Sequence, residues 1–218
     1  MSYFPFFMEG ESQRVLIVGG GEVALRKAML CEEYGMQIMI VADEVCDQLE
    51  QFVKEKGISL QRRVFSTEDI MGVTAVIAAT NDSELNHKVA MESKAKNLLV
   101  NVVDAPADCN FIMPAVIHKK DITVAISTGG KSPAAASFLK QELKRAIPKH
   151  FDRLVESLYN SREYVKEQIK DQESRKKAFD WMLVIGMQNG GNLSKDTVET
   201  VVKAVLRNQQ WGDSYGSK

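Results

Sequence analysis

The residues whose types and spacing can do chemistry gather at a few places. Gly19, Gly21 and Ala24 fit the spacing G-x-G-x-x-A directly after the apolar run Val15–Val18. In such a turn the first glycine permits the sharp reversal and the second lets a pyrophosphate approach the backbone. The alanine lets the following helix pack close on the strand, with its N-terminal N–H groups facing the phosphates. Glu22 and Val23 open that helix, so Gly19, Gly21, Glu22, Val23 and Ala24 are candidate dinucleotide contacts. A glycine turn after a strand can also be only a turn, but here strand, helix and a downstream acid occur together. That acid is Asp43, at the end of the apolar run Gln37–Ala42, with Glu44 beside it. A carboxylate there accepts ribose hydroxyl hydrogen bonds and repels a 2′-phosphate, which favours NAD over NADP. The competing role for Asp43 is to cap a helix expected to begin at Glu44. Thr80 and Asn81 close a further apolar run, placed either to border the nicotinamide ribose or to cap the helix expected from Ser83.

A second group of residues lies on the substrate side. Asn101 and Asp104 end the run Leu98–Val103, at the sheet edge where doubly wound folds hold ligands. They can orient a substrate, and Asp104 can accept its proton; the other reading is that Asp104 only starts an Asp-Ala-Pro turn. The loop Ser127-Thr128-Gly129-Gly130-Lys131 then leads through Ser132, a candidate N-cap, into a helix opened by Pro133. Its N–H groups suit a substrate carboxylate. His118 lies between these substrate-side segments and is grouped with them. His87 and His118 make no metal-ligand spacing with each other or with the cysteines, so no metal site is expected.

The elements that must position these residues follow from hydropathy. Val15–Val18, Gln37–Ala42, Thr74–Ala79 and Leu98–Val103 are continuous apolar runs, as in strands buried on both faces, and Ile58–Phe65 is a weaker alternating strand. Between them lie helical stretches at Glu22–Tyr34, Glu44–Lys56 and Ser83–Lys96. The expected class is therefore α/β, a Rossmann-type doubly wound parallel sheet. Short strands follow at Phe111–Pro114, Ala115–His118 and Ile122–Ser127, then helices at Pro133–Ala146, Phe151–Lys170, Glu173–Met187 and Ser194–Arg207, with a frayed end from Gly212. The expected division is a dinucleotide-binding domain over 1–112, a dimerisation and substrate-site segment over 113–148, and an α-helical C-terminal region over 149–218.

Composition sets limits. Hydrophobic residues at 44% and charged residues at 26% are an ordinary globular balance, and a net charge of −1 gives no bulk attraction to nucleic acid or an anionic membrane. Cys31, Cys46 and Cys109 are too scattered for a disulfide framework or a zinc pattern. The start is not expected to be a signal peptide, and the apolar runs are too short to span a bilayer. A cytoplasmic protein is expected.

Several stretches together carry a family resemblance. Gly19-Gly20-Gly21-Glu22-Val23-Ala24-Leu25-Arg26-Lys27, Ala78-Ala79-Thr80-Asn81-Asp82-Ser83-Glu84-Leu85-Asn86, Asn101-Val102-Val103-Asp104, Phe111-Ile112-Met113-Pro114-Ala115 and Ser127-Thr128-Gly129-Gly130-Lys131-Ser132-Pro133 occur in order from Phe4 to Pro148. In these the chain resembles the precorrin-2 dehydrogenase and sirohydrochlorin ferrochelatase family, the N-terminal module of siroheme synthase, without the methyltransferase domain expected to follow. The resemblance implies oxidation of precorrin-2 to sirohydrochlorin with NAD, a homodimer with exchanged segments, and catalysis at Asp104. It also gives Lys131, Arg26 and Lys27 the carboxylates of precorrin-2 as partners, against the alternative of solvated charges. A bifunctional enzyme that also inserts ferrous iron is the nearest alternative. A more distant one is a non-catalytic NAD-sensing domain, which predicts neither the Asp104 carboxylate nor the Ser-Gly-Gly-x-Ser-Pro loop.

Overall fold

A computed structural model describes residues 3–207 and divides them into two compact units. The first runs to Met113 and takes in Gly129–Lys131; the second holds Pro114–Thr128 and continues from Ser132.

In the first unit, strands β1 (Arg14–Val18), β2 (Gln37–Ala42), β3 (Ser59–Arg62), β4 (Ala75–Ala78) and β5 (Leu99–Val102) form an all-parallel sheet in the order β3-β2-β1-β4-β5. Helices α1 (Glu22–Glu33), α2 (Asp47–Lys56) and α3 (Ser83–Ala95) connect them. Side chains alternate across a strand, which explains the continuous apolar runs. Val15, Ile17, Ile40 and Ile77 pack on one face with Ala24, Ala28 and Cys31 of α1 and Leu49 and Val53 of α2. Leu16, Val18, Val76, Ala78 and Val100 pack on the other with Val89 and Ala90 of α3. Both faces are covered, as the doubly wound expectation requires.

Three local expectations need correction. β3 stops at Arg62 rather than reaching Phe65, because Arg63 turns its guanidinium to the carboxylate of Asp69 in the following 3₁₀ turn, Thr67–Ile70. α2 begins at Asp47 rather than Glu44, because the Cys46 N–H donates to the Gly20 carbonyl at 2.9 Å and holds the intervening residues as a loop. Phe111–Pro114 is not a strand. The segment before it is bound to β5 mostly through side chains: Asn110 Oδ1 accepts from the Val100 N–H at 2.7 Å, and Asn110 Nδ2 donates to the Leu98 carbonyl at 2.8 Å. These bonds occupy backbone groups of an edge strand that an ordinary ladder would have taken.

The second unit begins with an antiparallel hairpin, β6 (Ala115–Lys119) and β7 (Ile122–Ile126), on which α4 (Pro133–Ala146) packs. Ser132 caps α4, accepting from the Ala135 N–H at 3.1 Å. The single helix expected over Phe151–Lys170 is two, α5 (Phe151–Asn160) and α6 (Arg162–Gln168). The break falls at Ser161, whose hydroxyl donates back to the Ser157 carbonyl at 2.7 Å, a local bond that competes with regular helix. Helices α7 (Gln172–Gln188) and α8 (Lys195–Leu206) are separated by Gly190 and Gly191, both at positive φ. Val165, Ile169, Ala178, Met182, Val201 and Val202 form the core of this helical part. Lys119 on β6 pairs with Asp152 on α5 at 2.7 Å and holds that carboxyl below its usual range. The expected fraying from Gly212 falls outside the described residues. Among the described residues no helix is long and apolar enough to cross a membrane.

Asp69 is buried, with both oxygens facing Arg63 and one also accepting from the Ser66 N–H at 2.8 Å. The Arg63 hydrogen bond is the main reason its carboxyl lies below the usual range. Its stabilisation is therefore full above the unfolded carboxyl value of about 3.9 and is lost as pH falls through the depressed folded value. Asp69→Asn should destabilise the first unit by about 1–3 kcal/mol at neutral pH. Denaturant unfolding at a series of pH values checks this: the gap between variant and parent closes in acid.

Candidate functional site

The glycine turn sits where the ends of β1, β2 and β4 meet. Gly19 donates to the Val41 carbonyl at 2.9 Å and has φ +125°; a Cβ there would lie 2.3 Å from the Ala79 carbonyl oxygen. A Cβ on Gly20 would lie 2.0 Å from the carbonyl oxygen of Glu44. Gly19 and Gly20 are thus required by close backbone packing. The G-x-G-x-x-A spacing marks Gly19 but not Gly20, whose constraint comes from a loop distant in sequence. Gly21 differs, because a Cβ there would meet nothing within 4 Å. It is the N-cap of α1, which has no side-chain cap, so the first-turn N–H groups are left for a ligand. Ala24 is fully buried against the sheet, Val23 is half-buried, and Glu22 is exposed opposite Arg26 at 3.8 Å.

Asp43 and Glu44 follow β2 and are both exposed. Asp43 Oδ1 accepts from the Glu44 N–H at 3.0 Å. Asp43 does not cap α2, which begins after Cys46, so the capping alternative falls away. Thr80 and Asn81 follow β4, and neither caps α3: Asp82 does, accepting from Glu84 and Leu85 N–H groups at 2.9 and 3.1 Å. Buried Asn86 clamps Thr80. Its Oδ1 accepts from the Thr80 N–H at 3.2 Å and faces the Thr80 hydroxyl at 2.8 Å, while its Nδ2 donates to the Thr80 carbonyl at 3.0 Å. The Ala-Ala-Thr…Leu-Asn spacing contained Asn86, but only the folded turn reveals its task.

Asp104 lies just past β5, exposed, with φ +58°, in the left-handed region that Asp tolerates better than most residues. Asn101, by contrast, is buried. It is 8% exposed, and its amide donates to the Phe111 carbonyl at 3.2 Å and toward Cys109 Sγ at 3.6 Å. In the loop, Gly129 and Gly130 have φ of +63° and +78°. The Thr128 hydroxyl donates to the Ser132 carbonyl at 3.0 Å and accepts from the Ser132 N–H at 3.2 Å. Ser127 and Lys131 are exposed, and His118 on β6 faces Thr123 across the hairpin. His87 is paired with Asp108 at 2.9 Å. Among the described residues no three His, Cys, Asp or Glu side chains are grouped to hold a metal ion. Burial pushes the Cys31 thiol up to about 11, which makes it a packing residue, and lowers the Lys27 ammonium from its usual value.

Residues 6–115 match the family described as NAD(P)-binding, just over half the chain. The chain belongs to this NAD(P)-binding family. Residues 119–146 match the family described as sirohaem biosynthesis protein, central. A siroheme synthase of Ectopseudomonas mendocina is 37% identical over 176 residues, which cover 81% of this chain and 38% of the relative. One of Photorhabdus laumondii is 36% identical over 194 residues, covering 87% of this chain and 41% of the relative. The chain thus spans about two-fifths of the length of these relatives. The solved structure of SirC, precorrin-2 dehydrogenase, shares the fold at a TM-score of 0.69 and 21% identity, covering 94% of this chain and all of that one. For a member of the NAD(P)-binding family, the two outer glycines should respond differently to an added methyl group. Gly19→Ala should lower the melting temperature sharply, because backbone must move. Gly21→Ala should leave melting unchanged yet weaken dinucleotide binding by about tenfold or more, ~1.4 kcal/mol. Thermal melts and dinucleotide titration calorimetry check both.

Proposed function

We propose that this chain oxidises precorrin-2 to sirohydrochlorin with NAD, in siroheme biosynthesis. The observation that carries the reading is Asp104, held exposed in a left-handed turn just past β5, on a sheet whose β1–α1 turn is open at Gly21. The match to the sirohaem biosynthesis family and the similarity to siroheme synthases support a tetrapyrrole substrate.

The reaction removes a hydride and a proton from the macrocycle. A nicotinamide coenzyme, when bound, supplies the acceptor for the hydride. The uncapped first turn of α1 suits its pyrophosphate, and the exposed Asp43 suits the adenosine ribose while disfavouring a 2′-phosphate, so NAD is preferred to NADP. Thr80, fixed by Asn86, and Asn81 border the nicotinamide end. Asp104 accepts the proton or orients the reacting carbon. Substrate carboxylates have candidate partners in each unit by itself: Arg26, Lys27 and the Gly129–Lys131 backbone and ammonium in the first, His118 and the Ser127 and Thr128 N–H groups in the second. Ferrous iron enters only as a second substrate, if the product is metallated at the same carboxylate.

The functional division we propose gives 1–112 to the coenzyme, 113–148 to substrate and dimerisation, and 149–218 to a C-terminal domain whose described part is helical. Support for a homodimer comes from α4, which buries none of its residues and leaves Phe138 65%, Leu139 43% and Leu143 40% exposed. The free thiols Cys31, Cys46 and Cys109 suit the reducing cytoplasm.

Asp104→Ala should lower turnover by about two to four orders of magnitude, with NAD affinity unchanged. Asp104→Asn separates the two roles: a crippled variant marks a base, and a nearly active one marks an orienting group. Anaerobic rates with NAD titration on each variant check this, and parental turnover in the alanine variant would overturn the assignment.

A further inference from the structure

The turn that presents Asp104 is bonded from beneath, on both its sides, by the side chain of Cys109. Cys109 is 8% exposed, and its Sγ accepts from the Val102 N–H at 3.1 Å and from Asn101 Nδ2 at 3.6 Å. As a donor the same thiol faces the Val102 carbonyl at 3.3 Å and the Ala105 carbonyl at 3.5 Å. It has one proton, so it donates to one of these carbonyls at a time. Val102 is the last residue of β5 and Ala105 directly follows Asp104, so sulfur reaches the backbone on both sides of the residue at φ +58°.

We infer that Cys109 is a positioning residue for Asp104: its thiol ties together the two feet of the turn and so keeps the carboxylate-bearing residue in its left-handed conformation. The left-handed region is disfavoured for a residue with a Cβ, though less for Asp than for most, so holding it there gains from surrounding bonds. Two other side chains complete the seat without reaching the far foot. Asn101 ties β5 to the Phe111 carbonyl, and Asn110 ties it further back at Leu98 and Val100. Only Cys109 bonds on both sides of Asp104 among the bonds described. A shift of φ at this position would re-aim the carboxylate with little effect on the glycine turn at the far end of the unit's sequence. The thiol is spent on this internal bonding.

The inference rests on the proposed role of Asp104, and a double-mutant cycle keeps the two separable. The readouts are single-turnover oxidation of precorrin-2, KM for both substrates, and NAD affinity in Cys109→Ala, Cys109→Ser, Asp104→Ala and the double variant. Cys109→Ala should lower the chemical rate about tenfold with KM and NAD affinity unchanged. Cys109→Ser, which keeps a donor of shorter reach, should recover most of it. In the Asp104→Ala background Cys109→Ala should cost nothing more. If the alanine variant does not fold, the serine variant goes through the same cycle: a smaller loss with Asp104 present, none without it. Equal losses in both backgrounds, or a parental rate in Cys109→Ala, overturn the inference while leaving the role of Asp104 standing. A parental rate in Asp104→Ala overturns both.

Discussion

The first unit depends on the absence of two Cβ atoms. Gly19 and Gly20 pass so close to the carbonyls of Ala79 and Glu44 that no side chain fits at either position. That approach lets β1 stop beside the ends of β2 and β4 and lets α1 leave at once, with small Ala24 and Ala28 against the sheet. The loops at the carboxyl ends of β1, β2 and β4 follow from it. Asp43 comes out beside the turn, Thr80 is delivered to its clamp on Asn86, and Gly21 is left facing open space at an uncapped helix start. Close packing at two glycines creates the room at the third.

At the other end of the sheet the constraint is of a different kind. β5 is an edge strand, and the chain that returns past it bonds through the side chains of Asn101, Cys109 and Asn110 as much as through a backbone ladder. Side-chain latches hold a turn without forcing it into regular geometry. This is how Asp104 can be both exposed and held at positive φ. Asn101, expected on the substrate side, has its amide in the same latch.

What could be read from the amino-acid sequence was local or strictly periodic. β2 and α4 have their expected bounds, β2 from an uninterrupted apolar run and α4 from Ser132 and Pro133, which cap and open it. The glycine spacing pointed to the turn because its geometry is a property of adjacent residues. What escaped notice depends on partners far along the chain. Gly20 needs the Glu44 carbonyl to reveal its constraint, and Asn86 needs the Thr80 backbone. Phe111–Pro114 reads as a strand by hydropathy but has lost its ladder to side chains. Asp43 was ambiguous until the Cys46 bond to Gly20 showed that α2 starts too late for it to be a cap.

An NAD(P)-binding sheet presents an aspartate at its edge, and residues 119–146, with β7 and α4, match a sirohaem biosynthesis family. The proposed oxidation of precorrin-2 has its own optical signature. Under anaerobic conditions, purified protein given precorrin-2 and NAD should produce NADH and the sirohydrochlorin spectrum together, in equal amounts, and much faster than the mixture without protein. Sirohydrochlorin appearing no faster than in that control, from protein that still binds NAD, would contradict it.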